Sequence, residues 1–153
     1  MPKPYASAVV NAQADTVWEY LRDFSNLDEW QPAIESCEIE GDVRADEVGA
    51  VRRLTAQGGQ AVFRERLVAF DDEGRSLTYE FVESPLPVRG YRSTIRVAPV
   101  TDSAPGSAAD RGRAFVEWWG EFAADDKDAE AMTKFFAKDV YGDGLAALRE
   151  RYA

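Results

Sequence analysis

The chain is 153 residues long, the size of one ordinary domain, and 45% of it is apolar, enough for a sizeable core. Its formal net charge of −10 argues against nucleic acid, whose phosphates select Lys and Arg, and equally against anionic membrane surfaces. Histidine is absent, which excludes Ser-His and Cys-His catalysis and removes the commonest metal ligand.

The first element in chain order is a strand over residues 4–10, PYASAVV. A short helix follows over 14–22, with Asp15 near its start as a candidate cap and Val17, Trp18 and Leu21 on one face. NLDEW at 26–30 suggests another helical turn, stopped by Pro32. The single cysteine, Cys37, allows no intrachain disulfide and fits a reducing, cytoplasmic setting. Neither a signal-peptide pattern nor a run of about 18 apolar residues is present, so no membrane span is expected.

From Cys37 the hydrophobic period changes to two. Strands are predicted near 36–41, 49–56, 61–70, 76–83, 90–99 and 113–122, joined by turn compositions such as GDVRADE, QGG and DDEGR. The loop TDSAPGSAADRGR is expected to be the most mobile. One long helix is predicted from about Asp126 to Tyr152. Met132, Phe136, Val140, Gly144, Leu148 and Tyr152 recur every four residues along it, acids stand at its start, and Arg149 and Arg151 at its end. The predicted fold is therefore α+β: seven antiparallel strands forming a curved sheet around a long C-terminal helix, with two short helices between strands 1 and 2.

Strand parity sorts the faces. Phe63, Glu65 and Leu67 share one face, as do Leu77, Tyr79 and Phe81, and Tyr91, Ser93, Ile95 and Val97. The last strand carries large apolar groups on both faces. Phe115, Glu117, Trp119 and Glu121 are set against Val116, Trp118 and Phe122. The concave face is read as holding Glu65, Ser93, Glu117 and Arg52 among aromatics. A packed core rarely accepts two unpaired carboxylates. Gly142 and Gly144 remove side-chain volume from the helix stripe. Both observations point to a cavity between helix and sheet. Ordinary core packing, with Glu65 reaching solvent at a strand edge and Glu117 paired to Arg52, is the competing reading. Trp118, left on the outer face, could support a homodimer; a monomer is the other possibility. Metal ligation and a phosphate loop find no support in ADDKDAE or in GDG at 142–144, so neither metal nor cofactor is expected.

These motifs resemble the START-like (SRPBCC) superfamily, the helix-grip fold of the birch-pollen allergen, and within it the bacterial polyketide cyclase/dehydrase-like proteins. The carriers are VWEYLRDFSNLDEWQP, EVGAVRRL, ERLVAFDDEGRSLTYEF, PLPVRGYRSTIRV, VEWWGEF and GLAALRERY, covering essentially the whole chain as one domain, 1–153. The chain also resembles the plant abscisic-acid receptors, through ERLVAFDDEGR. That resemblance implies pocket positions at Arg52, Glu65, Tyr79, Phe81, Tyr91, Ser93, Glu117, Phe136, Val140 and Gly144, and strand parity adds Phe63 and Trp119 as ligand-binding candidates. The receptors' pocket lysine falls on Trp30, their gate near QGGQ, and their latch on PLPV, which brings in Leu86. An abscisic-acid response with a phosphatase partner is therefore not expected. The implied function is binding of a small hydrophobic or aromatic molecule. The alternative is a cyclase, aromatase or dehydratase in which Glu65 or Glu117 acts as general acid or base. Pro85 and Pro87 stiffen residues 84–88, as either a lid over the cavity or a rigid connection with its apolar residues tucked in.

Overall fold

The computed structural model describes residues 1–101 and 112–153. The expectation of a mobile loop before the last strand falls mostly at 102–111, outside the described residues. The strands are β1 (Tyr5–Val10), β2 (Ile34–Ile39), β3 (Val51–Ala56), β4 (Val62–Asp71), β5 (Ser76–Glu83), β6 (Arg89–Pro99) and β7 (Ala114–Ala123). Helices α1 (Ala14–Leu21) and α2 (Leu27–Trp30) lie between β1 and β2. The seven strands form one antiparallel sheet in the order β1-β7-β6-β5-β4-β3-β2. The meander from β2 to β7 is thus completed by β1 pairing with the last strand. The β4–β5 register slips between Arg64 and Glu65 and again between Leu67 and Ala69. Such bulges bend a strand and increase its twist, which curves the sheet around what it covers.

What it covers is the C-terminal helix. This runs as α3 (Asp126–Lys134), a π-helical stretch Phe135–Gly142, and α4 (Asp143–Arg151). The sequence stripe explains the break from α geometry. At 3.6 residues per turn, residues four apart drift around the axis by about 40° per step. A strict four-residue stripe therefore leaves the core within a few turns. The wider π turns, bonded i to i+5, bring Phe136 and Tyr141 onto one buried face, and Gly144, Leu145 and Leu148 continue it. Just after α2, the Gln31 side chain donates Nε2–H to the Val140 carbonyl at 2.9 Å.

The short helices follow their sequence signals. Ala14, Val17, Trp18 and Leu21 of α1 are buried. Asp15 does not cap: its carboxylate accepts from Arg75 Nε at 2.8 Å instead. Gln31 is extended (ψ 112°), as a residue before proline should be, and α2 ends there. No helix among the described residues is long and apolar enough to cross a membrane.

The outer sheet face is a cross-strand ladder of charges. Arg64 meets Glu40 (2.7 Å), Arg66 meets Glu80 (3.0 Å), and Arg96 meets Glu117 (3.3 Å). Exposed pairs of this kind are individually weak. Their placement identifies the wet face, so the opposite parity faces the helix.

Candidate functional site

A cavity of about 350 Å³ lies between that inner face and the C-terminal helix. β4 contributes Phe63 and Glu65, β5 contributes Tyr79 and Phe81, and β6 contributes Tyr91. Phe135, Phe136 and Val140 close it from the π-helical stretch, and Pro85 and Leu86 stand on its wall from the β5–β6 loop. The aromatic rings are layered: Phe81 stacks on Tyr91 (4.2 Å between centroids) and Tyr91 on Phe136 (4.5 Å). A groove of about 430 Å³ between Val9, Arg113 and Arg149 is open and charged, and is the poorer candidate for an apolar ligand.

Among the described residues one carboxyl belongs to the cavity wall. Glu65 is 5% exposed and faces Arg52 across the β3–β4 register. Arg52 contacts a single oxygen, Oε1, through Nε (2.8 Å) and through a terminal nitrogen (2.7 Å). The guanidinium also donates to the Phe24 carbonyl and is sandwiched between the rings of Phe24 (3.8 Å) and Tyr79 (4.8 Å). Burial pushes the Glu65 carboxyl above the ordinary carboxylate range, and the neighbouring guanidinium opposes this only in part. Burial likewise pushes the Tyr79 hydroxyl up to about 12 and raises those of Tyr91 and Tyr141 further. All three stay neutral and hydrogen bond as neutral groups.

Behind the wall the polar groups satisfy one another. Trp118 Nε1–H points at Tyr79 Oη (3.1 Å) and Ser93 Oγ (3.0 Å), Ser93 donates to the Trp119 carbonyl (2.8 Å), and the hydroxyls of Tyr91 and Tyr141 are bonded together. Gln31 is 3% exposed, and its Oε1 is buried without a partner among the described residues.

The residues expected at the site fall into three groups. Phe63, Glu65, Tyr79, Phe81, Leu86, Tyr91, Phe136 and Val140 all line the cavity. Arg52, Ser93, Trp30 and Gly144 are buried one layer back. Arg52 holds Glu65, Ser93 holds Trp118, and Trp30 packs against Trp118 at 5.5 Å. A Cβ on Gly144 would lie 2.7 Å from Gln31 Nε2 and 2.9 Å from the Trp118 ring. That glycine therefore permits close packing and does not hollow the cavity. Glu117 and Trp119 are on the wrong face. Glu117 accepts from Tyr5 Oη (3.0 Å) and pairs with Arg96 on the outer surface, so it neither meets Arg52 nor reaches the cavity. Trp118, expected outside, is 2% exposed and on the wall.

The physical reason lies in register. β6 places Arg96 outside, and β7 pairs Arg96 with Glu117, so a solvated ion pair fixes the parity. Trp118 then goes inward, where its N–H finds two oxygen acceptors. Gly120 follows the same parity and leaves room for the Tyr141 hydroxyl, into which a Cβ would run. Arg96 and Glu117 were both visible in the sequence, and their opposite charges were the available signal. Gln31 carried no comparable signal beyond its place before Pro32.

Fold and cavity define a class, the Bet v1/START-like proteins of the SRPBCC type, with a curved antiparallel sheet gripping a long helix. The chain belongs to the family described as polyketide cyclase / dehydrase and lipid transport, whose profile matches residues 1–153. It is 26% identical to the abscisic acid receptor PYL2 of Arabidopsis thaliana over 136 residues, 86% of this chain and 67% of the receptor. The structure of XoxI from Bacillus cereus is similar at 31% identity and a TM-score of 0.83, covering 99% of this chain and 96% of that one. The di-domain aromatase/cyclase BexL shares the fold at 19% identity and a TM-score of 0.77, over 98% of this chain and 46% of BexL.

Proposed function

We propose that residues 1–153 act as one START-like domain that binds a small, largely apolar molecule, aromatic rings included, between the curved sheet and the C-terminal helix. The observation that carries this reading is the cavity of about 350 Å³. It has aromatic walls and one carboxyl group, the usual composition of a small-molecule pocket. The family description, which names both cyclases and lipid transport, supports the same reading. So does the similarity to receptors named for a small hormone. A cytoplasmic location, with Cys37 unpaired, and a monomeric or homodimeric state belong to the proposal.

Glu65 favours a second reading. A carboxyl raised by burial beside an apolar cavity suits general acid or base work, as a cyclase or dehydratase requires. Glu117 has no part in it, because it is on the outer face. The test is a thermal-shift panel of flavonoids, fatty acids, sterols and aromatic polyketides, with native mass spectrometry of the purified protein. Binding at 100 times Kd stabilises the fold by about 2.7 kcal/mol. No shift with any class sinks the binding reading. Turnover of a polyketide that Glu65→Gln abolishes while the fold survives establishes the enzymatic one.

A further inference from the structure

We propose that the Glu65–Arg52 pair makes the cavity a charge filter: it takes neutral molecules that present a hydrogen-bond donor and rejects carboxylates, with Glu65 as the specificity-determining group. This rests on the binding reading above.

Among the described residues Glu65 is the one carboxyl on the wall, and no Lys or Arg lines it. Arg52 is buried behind the carboxyl and engages Oε1 alone. Oε2 accepts no hydrogen bond from the described residues, so it is the carboxylate oxygen available to a ligand. Of the other polar groups on the wall, the Trp118 N–H is bonded to the Tyr79 and Ser93 hydroxyls, the Tyr91 hydroxyl is bonded to that of Tyr141, and Gln31 spends its amide N–H on the Val140 carbonyl. It retains a buried Oε1 with no donor. Both atoms are acceptors. An unpaired buried acceptor is costly, and a donor on the ligand removes that cost. A carboxylate ligand would add a second anion beside Glu65, in surroundings where charge is poorly screened. Arg52 cannot offset it. Its charge is already shared with Glu65, and the Phe24 and Tyr79 rings hold its plane in place.

Three probes of one ring system separate the terms: naphthol, a donor; methoxynaphthalene, of similar shape without the donor; and naphthoate, an anion. Each is titrated calorimetrically from about pH 6 to about pH 9, because burial raises the Glu65 carboxyl above the ordinary carboxylate range, and the order is read at the alkaline end. The expected order is naphthol tightest, methoxynaphthalene weaker by about tenfold, the loss of a hydrogen bond to a charged group, and naphthoate weakest. In Glu65→Gln the guanidinium loses its counter-ion, so naphthoate should gain at least about tenfold while methoxynaphthalene is unchanged. Circular dichroism and Tm check the fold of that variant. If it does not fold, Glu65→Leu combined with Arg52→Met serves instead, and there naphthol should lose its advantage over methoxynaphthalene without naphthoate gaining. Naphthoate binding to the unmodified protein as tightly as naphthol overturns the filter. Equal binding of naphthol and methoxynaphthalene overturns the donor requirement and leaves the apolar site intact. If none of the three binds, the binding reading itself fails.

Discussion

Arg52 and Glu65 are the most heavily buried opposite charges described, and neither can lose its partner cheaply. The side chains are 6% and 7% exposed. Removing one leaves an uncompensated charge in the core, a cost of about 3–5 kcal/mol. Arg52→Met alone should lose that much in urea unfolding. Arg52→Met with Glu65→Leu should recover most of it, because the desolvation of both ions is relieved. Glu117→Gln is the contrasting case. Its partner Arg96 is 48% exposed, and such pairs contribute up to about 1 kcal/mol. Stability should fall by no more than this, and probe affinity should not change. Cys37 makes a third prediction. Burial pushes its thiol up to about 11, so the native protein holds it protonated at pH values where the unfolded chain ionises, near about 8.5. The stability this confers is full below the unfolded value and is lost as pH climbs through the native one. At mildly alkaline pH a disulfide exchange reagent should react slowly with native protein and rapidly in denaturant. Equal rates would show that the thiol is not held in this way. The inner positions of β4, β5 and β6 were legible in the sequence because charges mark one face cleanly. β7 was not, because Phe115 and Trp119 are as apolar as Val116 and Trp118; the ion pair that decides its parity forms only with Arg96 across the sheet.

The C-terminal helix shows the same division at the scale of an element. Its length, acidic start and basic end follow from the sequence. Its π-helical middle was not anticipated, although the four-residue stripe that favours it is in the sequence; the Gln31 side chain that engages the Val140 carbonyl there is more than a hundred residues away. Gly144 is the tight point of this contact. Alanine there meets Gln31 and Trp118 closer than ordinary contact distance. Overpacking of this kind costs about 1–3 kcal/mol, which a lowered Tm should register. The β5–β6 loop is stiff for a different reason. Pro85 and Pro87 fix φ, while Leu86 and Val88 pack against the core and Val88 N donates to the Leu86 carbonyl at 2.8 Å. With Pro85 and Leu86 both on the cavity wall, replacing the two prolines by alanine should accelerate probe exchange in stopped-flow measurements with little change in Tm. Unchanged exchange would reduce the loop to a connection.

For the molecule as a whole, strand alternation followed by one amphipathic helix was enough to give the architecture. A sheet with a single apolar face has few ways to cover it. The pairing of β1 with β7 is the long-range step that makes the sheet wrap the helix. The cavity was harder to anticipate because it is a difference between two surfaces. Its inner side is set by side chains that touch, such as Trp118 against Tyr141 at 4.9 Å, and its emptiness by where Phe135 and Leu86 stop.

The position of Trp118 gives the protein an optical probe of its own. Of the four tryptophans, Trp18 is bonded to Asp72 and packed on Phe70, Trp119 is on the outer face, and Trp30 packs tilted against Trp118. Trp118 alone is on the cavity wall, with its N–H committed to Tyr79 and Ser93. A molecule entering beside it replaces the medium against one face of the indole. Intrinsic emission should therefore shift or quench on binding, the change should vanish in Trp118→Phe, and neither dye nor label is needed to follow occupancy.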